Sequence, residues 1–121
     1  MLDISEKAVD GVVIVQPNGK IDTLTAKGFE THLMKHVGEG SGALLVDMQL
    51  VDYVSSFGLR SLLIIAKQMA PLGRKFVLFA AGPAVLEVLR VSGFLRIIDV
   101  AADQEAALAQ AGRGSGAAAA Q

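Results

Sequence analysis

Asp47-Met-Gln-Leu-Val-Asp-Tyr-Val-Ser-Ser-Phe-Gly-Leu-Arg60 is the stretch on which the fold turns. The apolar run Ala43-Leu-Leu-Val46 leads into it, a polar turn follows, and then come two serines and a glycine. A long apolar run begins at Leu59. That order reads as strand, loop, helix, with a hydroxyl pair where the helix starts. A helix N-terminus carries about half a positive charge and unpaired N–H groups. A serine placed there can cap the helix. It can also take a phosphate that a partner reads.

Outward from this stretch the pattern alternates. Residues 43–48 are apolar on both faces, which suits a central strand. Leu59, Leu62, Leu63, Ala66 and Met69 form a helical stripe that Ile64 and Ile65 widen, and Pro71 and Gly73 end it. Upstream, residues 2–8 alternate loosely and 12–15 are β-branched, with Asp10-Gly11 between them, a hairpin signal. Pro17-Asn18-Gly19 is expected to break the second strand, leaving 20–22 as a short extension into a loop. Phe29, Leu33 and Val37 mark a helix over 25–37, with Thr23 or Thr25 as N-cap and Gly38, Gly40 and Gly42 ending it. Downstream lie a strand at 75–79 and a helix from Pro83 with Val85, Leu86, Leu89 and Val91 on its apolar side. Ser92-Gly93 ends that helix, 95–100 reads as a last strand, and Asp103 caps an alanine-rich helix to about 111. The expectation is one α/β domain over 1–111, a small mixed β-sheet with an N-terminal antiparallel hairpin and helices packed on it. Residues 112–121 are low-complexity and are expected to form a mobile tail.

Composition excludes several classes. The 121-residue chain has no cysteine, so it has no disulfide, thiol nucleophile or thiolate metal site. Its net charge of −1 offers no basic excess for nucleic acid. The N-terminus lacks a signal-peptide pattern, and the apolar run at 62–66 is too short to span a bilayer. A soluble, cytoplasmic protein without membrane insertion is expected.

Catalytic signatures are weak. A serine nucleophile needs a base and an oxyanion hole, and the Gly-x-Ser-x-Gly elbow is absent. The two histidines, His32 and His36, stand one turn apart beside the Phe29 stripe. An i, i+4 pair can ligate a metal, but no Glu follows His32 as in a zincin. They read as half-exposed helix residues, with no metal and no cofactor assigned. Gly38, Gly40 and Gly42 follow a helix, the wrong order for a nucleotide loop. Asp22, Asp47 and Asp52 fall near strand ends, where they either converge beside Ser56 or act as loop acids and caps.

Three segments carry a resemblance. Gly19-Lys-Ile-Asp22-Thr-Leu-Thr-Ala26, Leu44-Leu-Val-Asp47 through Tyr53-Val-Ser-Ser56-Phe-Gly58-Leu59, and Pro83-Ala-Val-Leu-Glu-Val-Leu-Arg-Val-Ser92-Gly93-Phe94 resemble, in order, segments of the STAS domain of bacterial anti-sigma factor antagonists. The resemblance implies a STAS fold with helices mainly on one side of the sheet. It implies a binding protein, not an enzyme, in a partner switch. The unphosphorylated protein would bind a serine/threonine kinase that doubles as anti-sigma factor. Phosphorylation of a loop serine would end the binding, and a PP2C-type phosphatase would restore it. The matching acceptor is Ser56. Ser55 stands at the family's Asp position and Phe57 at its second hydroxyl position. Asp22, Asp47 and Gly58 complete the surroundings, and Thr23, Leu24, Leu59 and Arg60 are the expected partner contacts; the apolar excess at Ile64 or Ile65, with Leu24 and Phe57, either adds to that surface or fills the core. A monomer or weak homodimer is expected. Two other readings stand beside this: a STAS scaffold without phosphorylation in a signalling or lipid-transport assembly, and a small hydrolase using Ser56.

Overall fold

The computed structural model describes residues 2–112. Leu2–Val9 (β1) and Val12–Ile21 (β2) form the antiparallel hairpin. Asp10 and Gly11 both take positive φ, 52° and 78°, as a tight hairpin turn of matching twist requires. Ala26–Glu39 (α1), Leu44–Asp47 (β3), Val51–Val54 (β4) and Ser56–Met69 (α2) follow. Phe76–Phe79 (β5), Pro83–Val91 (α3), Asp99–Ala101 (β6) and Gln104–Ala111 (α4) complete the order. The sheet runs β1-β2-β3-β5-β6, with β4 also paired to β2. Every pairing beyond the hairpin is parallel.

The sheet has a core on each face. Alternation along β3 and β5 sends Leu44, Val46, Phe76 and Leu78 to one face, where Phe29, Leu33, Leu62, Ile65, Val85 and Leu89 of α1, α2 and α3 cover them. Leu45, Val77 and Phe79 point to the other face, where Ala107 and Ala111 of α4 lie. The fully buried residues of α4 on this face are both alanines. Asp103 caps α4 as expected, its carboxylate accepting from the Ala106 N–H at 2.9 Å.

Four expectations change. Pro17-Asn18-Gly19 does not break β2, which continues to Ile21. Val13 donates its N–H to Ala43 O and Gly19 donates to Leu50 O, so odd residues of β2 direct N–H groups away from β1. Pro17 falls between the β3 pairing at 13–15 and the β4 pairing at 19–21, so its missing N–H removes no ladder bond. Residues 51–54, read as loop, form β4, with Val51 and Val54 buried and Asp52 and Tyr53 exposed. Residues 95–100 are not one strand. Phe94–Arg96 makes a 3₁₀ turn whose Phe94 carbonyl accepts from Ile97 and Ile98, and the strand starts only at Asp99. Gly93 enters that turn at φ 82°, and Phe94 and Ile98, four apart, are buried together. Gly38 lies inside α1, and the helix is closed at Gly40. The tail expected over 112–121 lies, beyond Gly112, outside the described residues.

Candidate functional site

The two serines have different jobs. The Ser55 N–H donates to Ile21 O at 2.8 Å, which pins the start of α2 to the end of β2. Ser55 is in extended conformation, and its Oγ accepts the Gly58 N–H at 3.2 Å. That is an N-cap, with the side chain satisfying one orphan donor of the first turn. Ser56 is the first residue of α2 and is exposed. Its hydroxyl makes no hydrogen bond among the described residues.

Gly58 sets how closely α2 can approach. A Cβ built there would lie 2.8 Å from Ile21 O, 2.8 Å from Ile21 Cγ2 and 3.0 Å from Val54 Cγ1. The helix start therefore sits directly on the ends of β2 and β4.

Asp22, one residue past Ile21, builds the neighbouring loop. Its Oδ1 accepts from the N–H groups of Leu24 and Thr25 at 3.0 and 3.2 Å. The Thr25 hydroxyl accepts the Asp22 N–H and donates to Lys20 O, at 2.9 and 2.7 Å. Thr25 is the N-cap residue of α1, although its side chain makes no cap bond. Desolvation acts to raise the Asp22 pKa, but the bonds from Leu24 and Thr25 outweigh it and hold the carboxyl below its ordinary value. The ordered loop presents Leu24 at its tip, 91% exposed.

The other acids do not gather at Ser56. Asp47 follows Leu45 onto the α4 face of the sheet and is only 8% exposed. Gln16 Nε2 donates to its Oδ2 and the Gln49 N–H to its Oδ1, both at 2.9 Å. Asp52 lies on β4 and pairs with Lys20 at 3.4 Å, both side chains exposed. Of the three carboxylates, Asp22 alone adjoins the segment that anchors Ser55.

Thr23, Phe57 (52% exposed) and Arg60 line a shallow concavity of about 370 Å³ between the starts of α1 and α2. Lys27, Glu30 and the half-buried Ile64 share it. Ser61 closes its floor, donating to Ala26 O at 3.2 Å. Sequence reasoning missed Lys27, Glu30 and Ser61. A serine interrupting an apolar stripe was the available signal for the last. Leu59 packs partly against the main core and Ile65 wholly within it. His32 and His36 are both engaged by Glu6 of β1, so neither is hydrogen-bonded to Ser56.

The comparisons with known proteins agree with this architecture. The STAS domain family matches residues 3–107. BtrV of Bordetella bronchiseptica, provisionally named an anti-sigma factor antagonist, is 38% identical over 101 residues, covering 84% of this chain and 87% of that protein. A crystal structure from Thermotoga maritima, likewise provisionally named, shares the fold at TM-score 0.84 and 24% identity, covering 89% and 93% of the two chains. An anti-sigma factor antagonist from Mycobacterium paratuberculosis superposes at TM-score 0.76 with 25% identity, covering 92% and 94%. Among the described residues no helix is long and apolar enough to cross a membrane.

Proposed function

The chain belongs to the STAS domain family, and from that premise we propose that it is an anti-sigma factor antagonist gated by phosphorylation of Ser56. The observation that carries the reading is the division of labour at the start of α2. Ser55 already supplies the cap, so the exposed Ser56 hydroxyl is free to react without loosening the helix. A phosphate at the first helical position meets the positive end of the dipole and unpaired N–H groups, so the domain tolerates it. A partner surface fitted to a neutral hydroxyl does not. An unpaired charge buried at an interface costs several kcal/mol, and about 3 kcal/mol is already more than a hundredfold in affinity.

The partner of this reading is an anti-sigma factor with serine/threonine kinase activity, and a PP2C-type phosphatase resets the switch. The anti-sigma factor would dock over Thr23, Leu24, Phe57 and Arg60, exposed side chains at the starts of α1 and α2, the helix that Ser56 opens. The protein serves as a binding component, not a catalyst.

Incubation with the cognate kinase and ATP should place one phosphate on Ser56 by mass spectrometry, and Ser56→Ala should take none. Ser56→Asp should weaken kinase binding at least tenfold, while Ser56→Ala binds throughout. Tight binding without phosphate uptake would replace this reading with a scaffold that works without phosphorylation. Absence of both binding and uptake would end it.

A further inference from the structure

The sequence placed His32 and His36 one turn apart on α1 and assigned them no ligand role. The fold adds a third group from 26 residues upstream. Glu6, on edge strand β1, pairs with Val15 and so faces the side of the sheet that α1 covers. Its Oε1 lies 2.6 Å from His32 Nε2 and 3.0 Å from His36 Nε2. The three potential ligand atoms all lie within 4.8 Å of one another. The rings are tilted by 54° with centroids 5.6 Å apart, so they converge instead of stacking.

We propose that Glu6, His32 and His36 form a binding site for a first-row divalent transition ion of the zinc class. Two imidazole nitrogens and one carboxylate oxygen are a ligand set that zinc accepts in three-ligand sites. Zinc bonds of about 2.0–2.2 Å in a tetrahedron place neighbouring ligand atoms roughly 3.3 Å apart. Both Glu6–His distances are within about 1 Å of that, so small side-chain rotations open the cluster to metal geometry. Binding exchanges the two Nε2···Oε1 contacts for Nε2–metal bonds, and each ring gives up any proton on Nε2, by passing to the Nδ1–H tautomer if it is neutral or by releasing the proton to water if it is charged. The side chains are 31% (His32), 15% (His36) and 41% (Glu6) exposed, which leaves the ion an entry path and a fourth position for water or an outside donor. The absence of thiolate, and the presence of two imidazoles, disfavour both Cu(I) and the oxygen-seeking Mg²⁺ and Ca²⁺. A bound ion would staple the hairpin edge to α1, the helix whose first turn carries the Asp22–Thr25 loop.

The chain holds two histidines, both in this cluster, so any histidine signal reports on this site alone. Tag-free, metal-stripped full-length protein is titrated with ZnCl₂ while the ring ¹⁵N resonances are followed. Both Nε2 resonances should shift and saturate at one equivalent, and MgCl₂ should leave them in place. Calorimetry should give one site, weakened at least tenfold by Glu6→Gln and lost in His36→Ala. Ring resonances unmoved by Zn²⁺ in the unmutated protein, or moved equally by Mg²⁺, overturn the proposal. So does unchanged zinc affinity in both variants. The resonance measurement needs no variant, so it decides the question even if His36→Ala unfolds.

Discussion

Gly58 and Gly28 occupy the same position, the third residue of their helices, in α2 and α1. Alanine at either should gain similar helix propensity, up to about 1 kcal/mol. Only the surroundings differ. At Gly28 a new Cβ meets nothing within 4 Å. At Gly58 it meets Ile21 O and Ile21 Cγ2 at 2.8 Å and Val54 Cγ1 at 3.0 Å. A backbone carbonyl inside β2 cannot swing away as a side-chain tip does, so α2 must lift or the strand end must bend. Overpacking of this kind costs about 1–3 kcal/mol, and a backbone contact belongs in the upper half of that range. Net of propensity, Gly58→Ala should lose about 1–2 kcal/mol, whereas Gly28→Ala should gain about 0.5–1 kcal/mol. For a domain of this size that is a Tm lower by roughly 4–8 °C in the first case and higher by about 2–4 °C in the second. Urea titration should move the midpoints in opposite directions with the slope m unchanged, because neither substitution alters the surface exposed on unfolding. A Gly58→Ala protein as stable as the parent, or a shift of both variants in one direction, would refute the claim that contact with Ile21 fixes the start of α2.

Three further outcomes are expected. Ser55→Ala should cost about 1 kcal/mol in urea unfolding through loss of the cap, while Ser56→Ala stays within about 0.5 kcal/mol of the parent; equal losses would mean that the cap is misassigned. Arg74→Met should cost about 2–3 kcal/mol, because the guanidinium donates to the carbonyls of Gly42, Val37 and His36 and so ties the end of α1 to the start of β3; a loss under 0.5 kcal/mol in the same assay would show those bonds to be dispensable. The Asp22 carboxyl is held below its ordinary value of 3.8, so its stabilising contribution is complete above that pH and is lost as pH falls through the folded pKa; Asp22→Asn should flatten that acid limb of the stability–pH profile, and parallel profiles would show that the loop does not depend on the charge.

What could be read from the chain alone was local. Asp10-Gly11, the Phe29-Leu33-Val37 stripe, the Gly82-Pro83 helix start and the Asp103 cap each announce themselves within a few residues. What could not be read depends on partners distant in sequence. Val51-Asp-Tyr-Val54 is too short and too polar to signal a strand, and becomes one because β2 extends far enough to pair with it. Pro17 breaks strands in general, and only the handover from β3 to β4 makes it harmless here. For Asp47, both faces of β3 are apolar, so the sequence carries no mark of which face α2 would cover. The Glu6 cluster is invisible for the same reason: a carboxylate on the first strand meets the helix only after the hairpin is docked.

The placement of Asp47 and Asp52 also changes how a phosphate at Ser56 would act. Three convergent carboxylates would repel an added charge of about −1.5 to −2 and could unseat the loop itself. Asp47 is instead turned to the opposite face and bonded by Gln16, and Asp52 is offset by Lys20. Asp22 remains close, but its Oδ1 is committed to the N–H groups of its own loop. The start of α2, for its part, offers the phosphate the positive end of the helix dipole. Internal repulsion is therefore too small to operate the proposed switch by unfolding or rearranging the domain. Its force has to arise where Leu24, Phe57 and Arg60 would be covered, with water excluded around a charge that the partner has no group to meet. On this account the domain keeps its shape through the cycle, and the exposed face around Ser56 alone determines whether a partner stays.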